Sequence, residues 1–345
     1  MPQAKKPRKQ AATATGPSPG PQLPDRRAME AFLAPLSGRQ ADAALQEAQD
    51  LMYRAWETTG RQARITLAKR ALAISPLCAD AYVLLAEESA KSLEEAKALY
   101  ARGVEAGELA LGPKTFKEDV GYFWGLLETR PYMRARAGLA QALWTSGNRD
   151  EAIAHYREML RLNPGDNQGI RYILAVALLE IGDDEALQEL LKAYDQDGSP
   201  YWTYTKALLA FRAAGATEQA GTLLAEAVRS NAHVPAFLSG GKELPKIAPD
   251  YITLGGEDEA AEYARDCGEA WRRTAGALDR LRRVAAELPP RPRAAVGRAI
   301  ERSPRLHSER RPALTLSWAW RVWSGDRDAG RSPWSRRLFG AASRA

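Results

Sequence analysis

Histidine and cysteine, the side chains that most often serve as nucleophiles, general bases or metal ligands, are few in this chain and lie far apart. The histidines are His155, His233 and His307, and the cysteines are Cys78 and Cys267. The histidines are too dispersed for a metal-binding motif such as HExxH, and two cysteines are too few for a disulfide framework or a Cys-rich zinc site. We therefore predict no metal site, and we expect Cys267 to be a small core residue.

The segment "SGGKE" at residues 239–243 comes nearest to a phosphate-binding loop. It lacks the first glycine of that motif, and Glu243 stands where a serine or threonine would hold magnesium. Paired acids at Glu94–Glu95 and Asp183–Asp184 are expected to open helices, because negative charge complements the dipole at a helix N-terminus. These patterns do not support catalysis, so we predict a protein that is not an enzyme and uses no cofactor.

The basic character of the chain is confined to its two ends. The whole chain carries a formal charge of +6, of which residues 1–30 contribute +4 and residues 286–345 contribute +8, so residues 31–285 carry −6. A nucleic-acid-binding domain usually carries its basic residues on the fold itself. Residues 1–28 are a basic segment rich in proline and glycine, and residues 290–345 are rich in arginine. Both are predicted to be disordered tails.

Long helical periodicity begins near residue 29, and its clearest unit spans residues 133–166, "MRARAGLAQALWTSGNRDEAIAHYREMLRLNPGD". Gly147 can end a first helix in the left-handed conformation, and Asn148 can cap a second. Ala152 is small enough for the two antiparallel helices to approach closely. Because two such helices cannot bury their apolar faces alone, copies of the unit must stack.

The same frame continues without a gap in residues 167–200 and 201–234. Gly182 and Gly215 repeat the turn between the two helices, and Ala220 repeats the small residue of the second helix. Three consecutive units of equal length predict a repeat architecture rather than an irregular helical bundle.

This helix–turn–helix period, with small residues at fixed places and a closing proline, resembles the tetratricopeptide repeat family. The likeness covers about residues 45–234 and is looser before residue 133, where Arg64 takes a small-residue position. It implies an all-α, right-handed α-solenoid of stacked helical hairpins. We predict a repeat domain at residues 29–234 and capping helices at residues 235–289 that cover its last apolar face.

A narrower resemblance rests on two segments. Residues 82–108 read "YVLLAEESAKSLEEAKALYARGVEAGE", and residues 134–164 read "RARAGLAQALWTSGNRDEAIAHYREMLRLNP". Together they look like the family named for suppressor of tumorigenicity 7, which implies a helical repeat protein without assigned catalysis. Animal members of that family carry membrane segments. The longest apolar run here, residues 172–181, is well short of the ~20 residues that a membrane helix needs, so we predict no membrane insertion.

An insert at residues 111–132, which contains "FKEDVGYFWGLLETRPY", interrupts the repeats. Val120, Phe123, Trp124 and Leu127 are predicted to share one face of a short helix. Such an apolar face needs a surface to cover it. Two interpretations are open: the insert packs on the neighbouring repeats, or it narrows the groove and docks a partner. The first interpretation predicts that Trp124 is mostly buried.

The resemblance to tetratricopeptide repeats implies that an extended peptide binds on the concave face formed by the first helix of each repeat. Six residues are predicted to line that face: Arg134, Gln141, Trp144, Arg171, Trp202 and Arg212. The three arginines are expected to form a positive stripe beside the aromatic residues. Such a stripe suits a partner that carries acidic groups.

The preferred hypothesis is therefore a non-catalytic, cytoplasmic scaffold that binds a protein or peptide. Two alternatives stay open at this point. One is an enzyme or regulatory domain whose site spans the insert and the C-terminal cap. The other is nucleic-acid binding through the basic tails, which we disfavour because the predicted folded part of the chain is acidic.

Overall fold

Helices account for nearly all of the chain that the structure describes. The computed structural model describes residues 42–246, 251–288 and 311–312. The helices are α1 (Ala43–Glu57), α2 (Arg61–Ile74), α3 (Ala79–Glu88), α4 (Leu93–Glu118), α5 (Arg130–Thr145), α6 (Arg149–Leu162), α7 (Ile170–Ile181), α8 (Asp184–Ala193), α9 (Pro200–Ala214), α10 (Glu218–Ser230), α11 (Val234–Leu238), α12 (Glu257–Arg273) and α13 (Ala277–Glu287). This confirms the predicted all-α class.

A short ladder is the one departure from helix among the described elements. Strand β1 (Tyr251–Ile252) pairs with β2 (Arg311–Pro312) in antiparallel register. The predictions made for the tails at residues 1–28 and 290–345 lie outside the described residues, apart from β2.

Glycines in the left-handed region mark the ends of three first helices. Gly147, Gly182 and Gly215, which follow α5, α7 and α9, have φ of +87°, +78° and +70°. Glycine adopts these angles without a Cβ clash, so the turns lie where the repeat frame predicts them. Asp183 then starts α8 by accepting a hydrogen bond from the Ala186 backbone N–H at 3.1 Å.

The helices pack in chain order: each helix from α1 to α9 contacts the next one along the chain. Helices α4 and α5 approach each other closely because glycines face the partner helix. A methyl group added at Gly107 of α4 would lie 3.1 Å from the Tyr132 Cα, and one added at Gly138 of α5 would lie 2.2 Å from the Tyr100 Cε1. These glycines therefore set the separation of the two helices.

The small residues predicted at close helix contacts are in the core. Ala152 of α6 and Ala220 of α10 are both buried. Cys267 of α12 is also a buried free cysteine, as predicted. Helix α3 is buried along its whole length, and its residues contribute to both apolar clusters of the described chain, one around α1 and α2 and one that extends to α13.

The insert does not form the predicted short helix. Helix α4 extends into it, kinks at Gly112 before Pro113, and ends at Glu118, after which residues 119–129 form turns. These turns hydrogen-bond to the end of α6, since the backbone N–H groups of Gly121 and Phe123 donate to the Leu162 carbonyl at 2.9 and 3.3 Å. The helix prediction is wrong because Gly121, inside the predicted helix, has a φ of +103°, which is not a helical angle.

An aromatic cluster anchors the insert. Phe123 is completely buried, and its ring centroid lies 5.1 Å from that of Phe116 and 6.1 Å from that of Tyr132. Trp124 is half-buried, with the Arg130 guanidinium 5.5 Å above its ring. Trp124 packs against the core with part of its surface accessible, in line with the prediction, and Phe123 is the ring of the insert that is completely buried. The packing interpretation of the insert agrees with these contacts.

The C-terminal helices do more than cover the last repeat. Helix α13 packs on α10 and α11, whereas α12 lies against both α7 and α9. Tyr201 of α9 donates to Asp266 of α12 at 2.6 Å, and the Thr205 and Tyr263 hydroxyls are 3.4 Å apart. Helix α12 thus covers a face formed by two first helices.

Candidate partner-binding surface

Arg134 of α5 forms a buried ion pair with Asp80 of α3. Its Nε and Nη2 atoms donate to the two carboxylate oxygens at 2.6 and 2.5 Å, and Asp80 has 0% of its surface exposed. Gln49 of α1 donates to the same carboxylate at 2.7 Å. The Arg134 guanidinium also lies 5.1 Å above the ring of Trp56. The charge of Arg134 therefore serves to join three helices.

Arg171 of α7 is held by two carboxylates. Its Nε donates to Asp197 and its Nη1 donates to Asp166, both at 3.0 Å. Its guanidinium lies 4.3 Å from the ring centroid of Tyr172. Burial raises the pKa of Asp166 to about 6, an effect that the charge of Arg171 opposes. This cluster fixes the loop before α7 against the loop before α9.

Arg212 and Trp202, both on α9, are also engaged within the chain. Arg212 donates to Asp184 at 2.7 Å and to the Thr274 hydroxyl at 3.0 Å. Trp202 is completely buried, and its indole N–H donates to the Leu191 carbonyl at 3.2 Å. The tryptophan therefore packs on α8, the second helix of the preceding unit.

Gln141 and Trp144 keep part of their surface accessible on α5. The Tyr156 hydroxyl donates to the Gln141 side-chain oxygen at 3.4 Å. The Arg149 guanidinium lies 5.0 Å above the Trp144 ring and pairs with Glu180 at 2.8 Å. The ends of α5 and α7 and the start of α6 thus meet at one polar and aromatic surface.

Each of the three arginines of the predicted stripe is paired with a carboxylate of this chain. Arg134 and Trp202 are buried, so a partner cannot reach them in this structure. We remove these two residues from the candidate surface. Partner contact at Gln141 and Trp144, and at the partly exposed Arg171 and Arg212, stays a prediction.

The carboxylates that hold the arginines were not predicted. Each stands at or near the start of a helix: Asp80 in the first turn of α3, Asp184 in the first turn of α8, Asp166 just before α7 and Asp197 just before α9. The sequence did contain a signal for these pairs: an arginine in the first helix of one unit and an aspartate near the start of a helix in a neighbouring unit.

Burial shifts the pKa of two side chains of types that enzymes often use. Burial raises the pKa of the Cys78 thiol to about 12. Burial, and then the charge of Arg136, lower the pKa of His155. Across residues 42–246 and 251–288, no group of three or more His, Cys, Asp or Glu side chains is placed to hold a metal ion. None of the described helices combines the length and the apolar composition needed to cross a membrane.

The family model for ST7 protein matches residues 39–289, a range that includes every helix from α1 to α13. The chain belongs to the ST7 protein family. The suppressor of tumorigenicity 7 protein of Rattus norvegicus is 30% identical over 283 residues, covering 69% of this chain and 48% of the relative. The ST7 homolog of Caenorhabditis elegans is 29% identical over 283 residues, covering 70% and 51%. The suppressor of tumorigenicity 7 protein-like of Gallus gallus is 30% identical over 260 residues, covering 69% and 47%.

The chain spans about half the length of these ST7 relatives. No solved structure matches the chain. The resemblance to the suppressor of tumorigenicity 7 family is confirmed, whereas the tetratricopeptide character of the helices stays a prediction. The names of the ST7 relatives state no activity or partner, so what this chain binds must be proposed from its own residues.

Proposed function

We propose that this chain is a non-catalytic scaffold that binds a protein or peptide through a right-handed, tetratricopeptide-like array of helical hairpins. The observation that carries the proposal is the packing order, in which each helix from α1 to α9 contacts the next. Such an order builds a continuous surface of helix faces, and stacked helical repeats use surfaces of this kind for binding. Membership of the ST7 family is compatible with this function.

The buried charge pairs support a rigid scaffold rather than a reactive site. Arg134–Asp80 is buried, and the partly exposed pairs Arg171–Asp197 and Arg212–Asp184 also join different helices or the loops between them. Loss of either member of a buried ion pair strongly destabilises the folded protein, because the other charge is then buried without a partner. The pairs therefore fix the relative positions of neighbouring hairpins.

The surface that we propose for the partner is the Trp144 surface, defined as Trp144, Arg149, Glu180 and Ile181. The tryptophan is half-buried beneath an arginine, and Ile181 is 37% exposed. Tryptophan and arginine are enriched among the residues that dominate the binding energy of protein interfaces. Gln141 lies one turn before Trp144 on α5 and extends this surface.

The test uses the full chain to capture a partner, which is then identified, purified and titrated against variants. Trp144→Ala should weaken binding about thirtyfold or more, since an anchor residue of this kind contributes about 2 kcal/mol or more. Trp124→Ala is the matched control, because Trp124 is also half-buried with an arginine above its ring. Equal affinity of the Trp144→Ala and wild-type chains, at equal melting temperature, would exclude this surface.

We also propose that the scaffold works in the cytoplasm on a protein partner rather than on nucleic acid. Fractionation of cells that express the full chain tests the location, and recovery with the membranes would contradict it. Binding to nucleic acid would show a steep loss of affinity with salt. A capture that weakens only slightly between low and moderate salt supports a protein partner.

A further inference from the structure

Strand β1 pairs with a segment that lies beyond α12 and α13 in the chain. Tyr251 is directly opposite Pro312, and Ile252 is directly opposite Arg311. The loop of an ordinary β-hairpin has about two to five residues, whereas two helices separate these strands. The ladder is therefore not a local turn. It joins the arginine-rich C-terminal segment to the loop that connects α11 to α12.

Contacts with α12 hold β1 and the residues that follow it. Ile252 is 4% exposed, so its side chain is part of the packed protein. The Thr253 backbone N–H donates to Asp258 of α12 at 2.8 Å, and the Gly255 N–H donates to Glu259 at 2.8 Å. A segment that is already ordered loses little conformational entropy when a second strand pairs with it. The edge of β1 is thus a preformed site for strand addition.

Proline at residue 312 shows which backbone groups hold β2. Opposed residues in an antiparallel ladder alternate between pairs that exchange two N–H···O bonds and pairs that exchange none. Proline has no N–H, so Tyr251–Pro312 is a pair of the second kind and Ile252–Arg311 is a pair of the first kind. A ladder of this length is only marginally stable in water. Strand β2 can therefore leave β1 while the helices stay folded.

The opposite charges of the two parts of the chain favour their association. Residues 286–345 carry +8, whereas residues 31–285 carry −6. The first turn of α12, which follows β1 closely, contains Glu257, Asp258 and Glu259. Long-range attraction of this kind adds to the few hydrogen bonds of the ladder. The docked segment is therefore complementary to its site in charge as well as in backbone pairing.

Covalent linkage makes the same chain the strongest competitor for the edge of β1. Residues 289–310 connect α13 to β2. A short tether of this kind gives an effective concentration in roughly the millimolar range. A second copy of the chain at micromolar concentration cannot compete with an occupant that is held in this way.

We propose that β1 is a strand-addition site and that its ligand is the C-terminal segment of the same chain, which docks there through residues 311–312. In strand addition, backbone hydrogen bonds supply the affinity for an extended peptide. Docking blocks this edge against extended segments of other proteins and keeps the arginine-rich segment beside the acidic helices. The inference does not depend on the Trp144 surface.

A disulfide bond between the two strands tests the proposal on the full chain. Opposed residues in a non-hydrogen-bonded pair have Cα atoms about 4.5 Å apart, which a disulfide can span. Under mild oxidation, Tyr251→Cys combined with Pro312→Cys should form an intramolecular disulfide, identified by mass spectrometry of the linked peptides. Tyr251→Cys combined with Leu316→Cys is the matched control and should react at least about tenfold more slowly, because its second cysteine is four residues out of register. The native Cys78 and Cys267 are buried and should stay reduced.

Substitutions at Arg311 in the first double-cysteine chain test the backbone pairing itself. Arg311→Pro removes the N–H that β2 donates to Ile252 and should slow disulfide formation about tenfold, the equivalent of one hydrogen bond. Arg311→Ala is the matched control, because it loses the same charge but keeps the N–H, and it should react within about twofold of the double-cysteine chain.

Three results overturn the proposal. The first is an equal rate for the cysteine pair in register and the displaced pair. The second is an equal rate for Arg311→Pro and Arg311→Ala. The third is a disulfide that links two chains at micromolar protein, because the occupant of β1 would then be a second copy.

Hydrogen exchange provides a second measurement that needs no added cysteine, should the double-cysteine chains fail to fold. The Ile252 amide belongs to the hydrogen-bonded pair, so its exchange reports directly on the docking of β2. In the full chain it should exchange about tenfold faster in Arg311→Pro than in Arg311→Ala. Equal exchange in the two variants overturns the proposal.

Discussion

Replacing Arg134 with alanine should lower the free energy of unfolding by about 3–5 kcal/mol, the usual effect of removing one member of a buried ion pair. Asp80 has no exposed surface and receives two charge-assisted hydrogen bonds from Arg134. Without the arginine, the neutral amide of Gln49 is the remaining side-chain donor that the structure places on this carboxylate, at 2.7 Å. The variant therefore leaves a buried charge with inadequate compensation.

Arg149→Ala provides the control, because the Arg149–Glu180 pair has a similar length of 2.8 Å but both side chains are almost half exposed, 47% and 43%. An exposed pair of this kind contributes about 0–1 kcal/mol. The double replacement of Arg134 and Asp80 by alanine should recover part of the loss of the single variant, since no unpaired charge then remains.

Urea denaturation followed by circular dichroism measures all of these variants in one assay. The Arg134→Ala chain should unfold at clearly lower urea than the Arg149→Ala chain, with the same dependence on denaturant. If the two single variants show an equal loss in the free energy of unfolding, Arg134 does not form the buried ion pair that the structure describes. The residue would then return to the candidate binding surface.

Three further predictions concern packing and use the same urea assay. Phe123→Ala should lower the free energy of unfolding by about 3–5 kcal/mol because its ring is completely buried, and Trp124→Ala should lower it by less; the reverse order would contradict the insert packing. Ala152→Leu should cost about 1–3 kcal/mol by overpacking two helices, and an unchanged midpoint would mean that the repeat frame is misplaced. Gly138→Ala should cost a similar amount because its methyl group meets the Tyr100 ring, and wild-type stability would show that α4 and α5 can separate freely.

The hairpin turns and small-residue contacts could be predicted from the sequence because their causes are local. Gly147, Gly182 and Gly215 end helices through their own backbone freedom, and each lies in the left-handed region. Ala152 is buried because a repeat of fixed length places it opposite its partner helix. The regular spacing of these residues is therefore enough to predict both the helices of each hairpin and the contact between them.

The charged residues could not be assigned in the same way, since their partners are distant in the chain. Asp80 and Arg134 are 54 positions apart, with the insert between them. A repeat frame shows which residues of first helices face the same side, but it does not show whether the next helix supplies a carboxylate. Arg64 illustrates the point at a small-residue position, where its side chain reaches out to pair with Glu88 at 2.6 Å.

The position of α12 also depends on contacts that the sequence does not encode locally. The sequence predicts capping helices at residues 235–289 with Cys267 in the core, and Cys267 is buried beside Trp271 on the same helix. The same pattern fits a helix placed after α10 as a cap or a helix laid across α7 and α9. Packing against two earlier helices decides between these arrangements, and that information lies in the shape of the whole array.

Hydrogen exchange of the purified complex, compared with the free chain, tests the proposed scaffold most directly. The account predicts slower exchange on partner binding at the turns that end α5 and α7, residues 145–149 and 181–184. The segments around Arg134 and Trp202 should be unchanged, because both side chains are already buried. Slower exchange confined to those segments, with none at the two turns, would contradict the proposed binding surface.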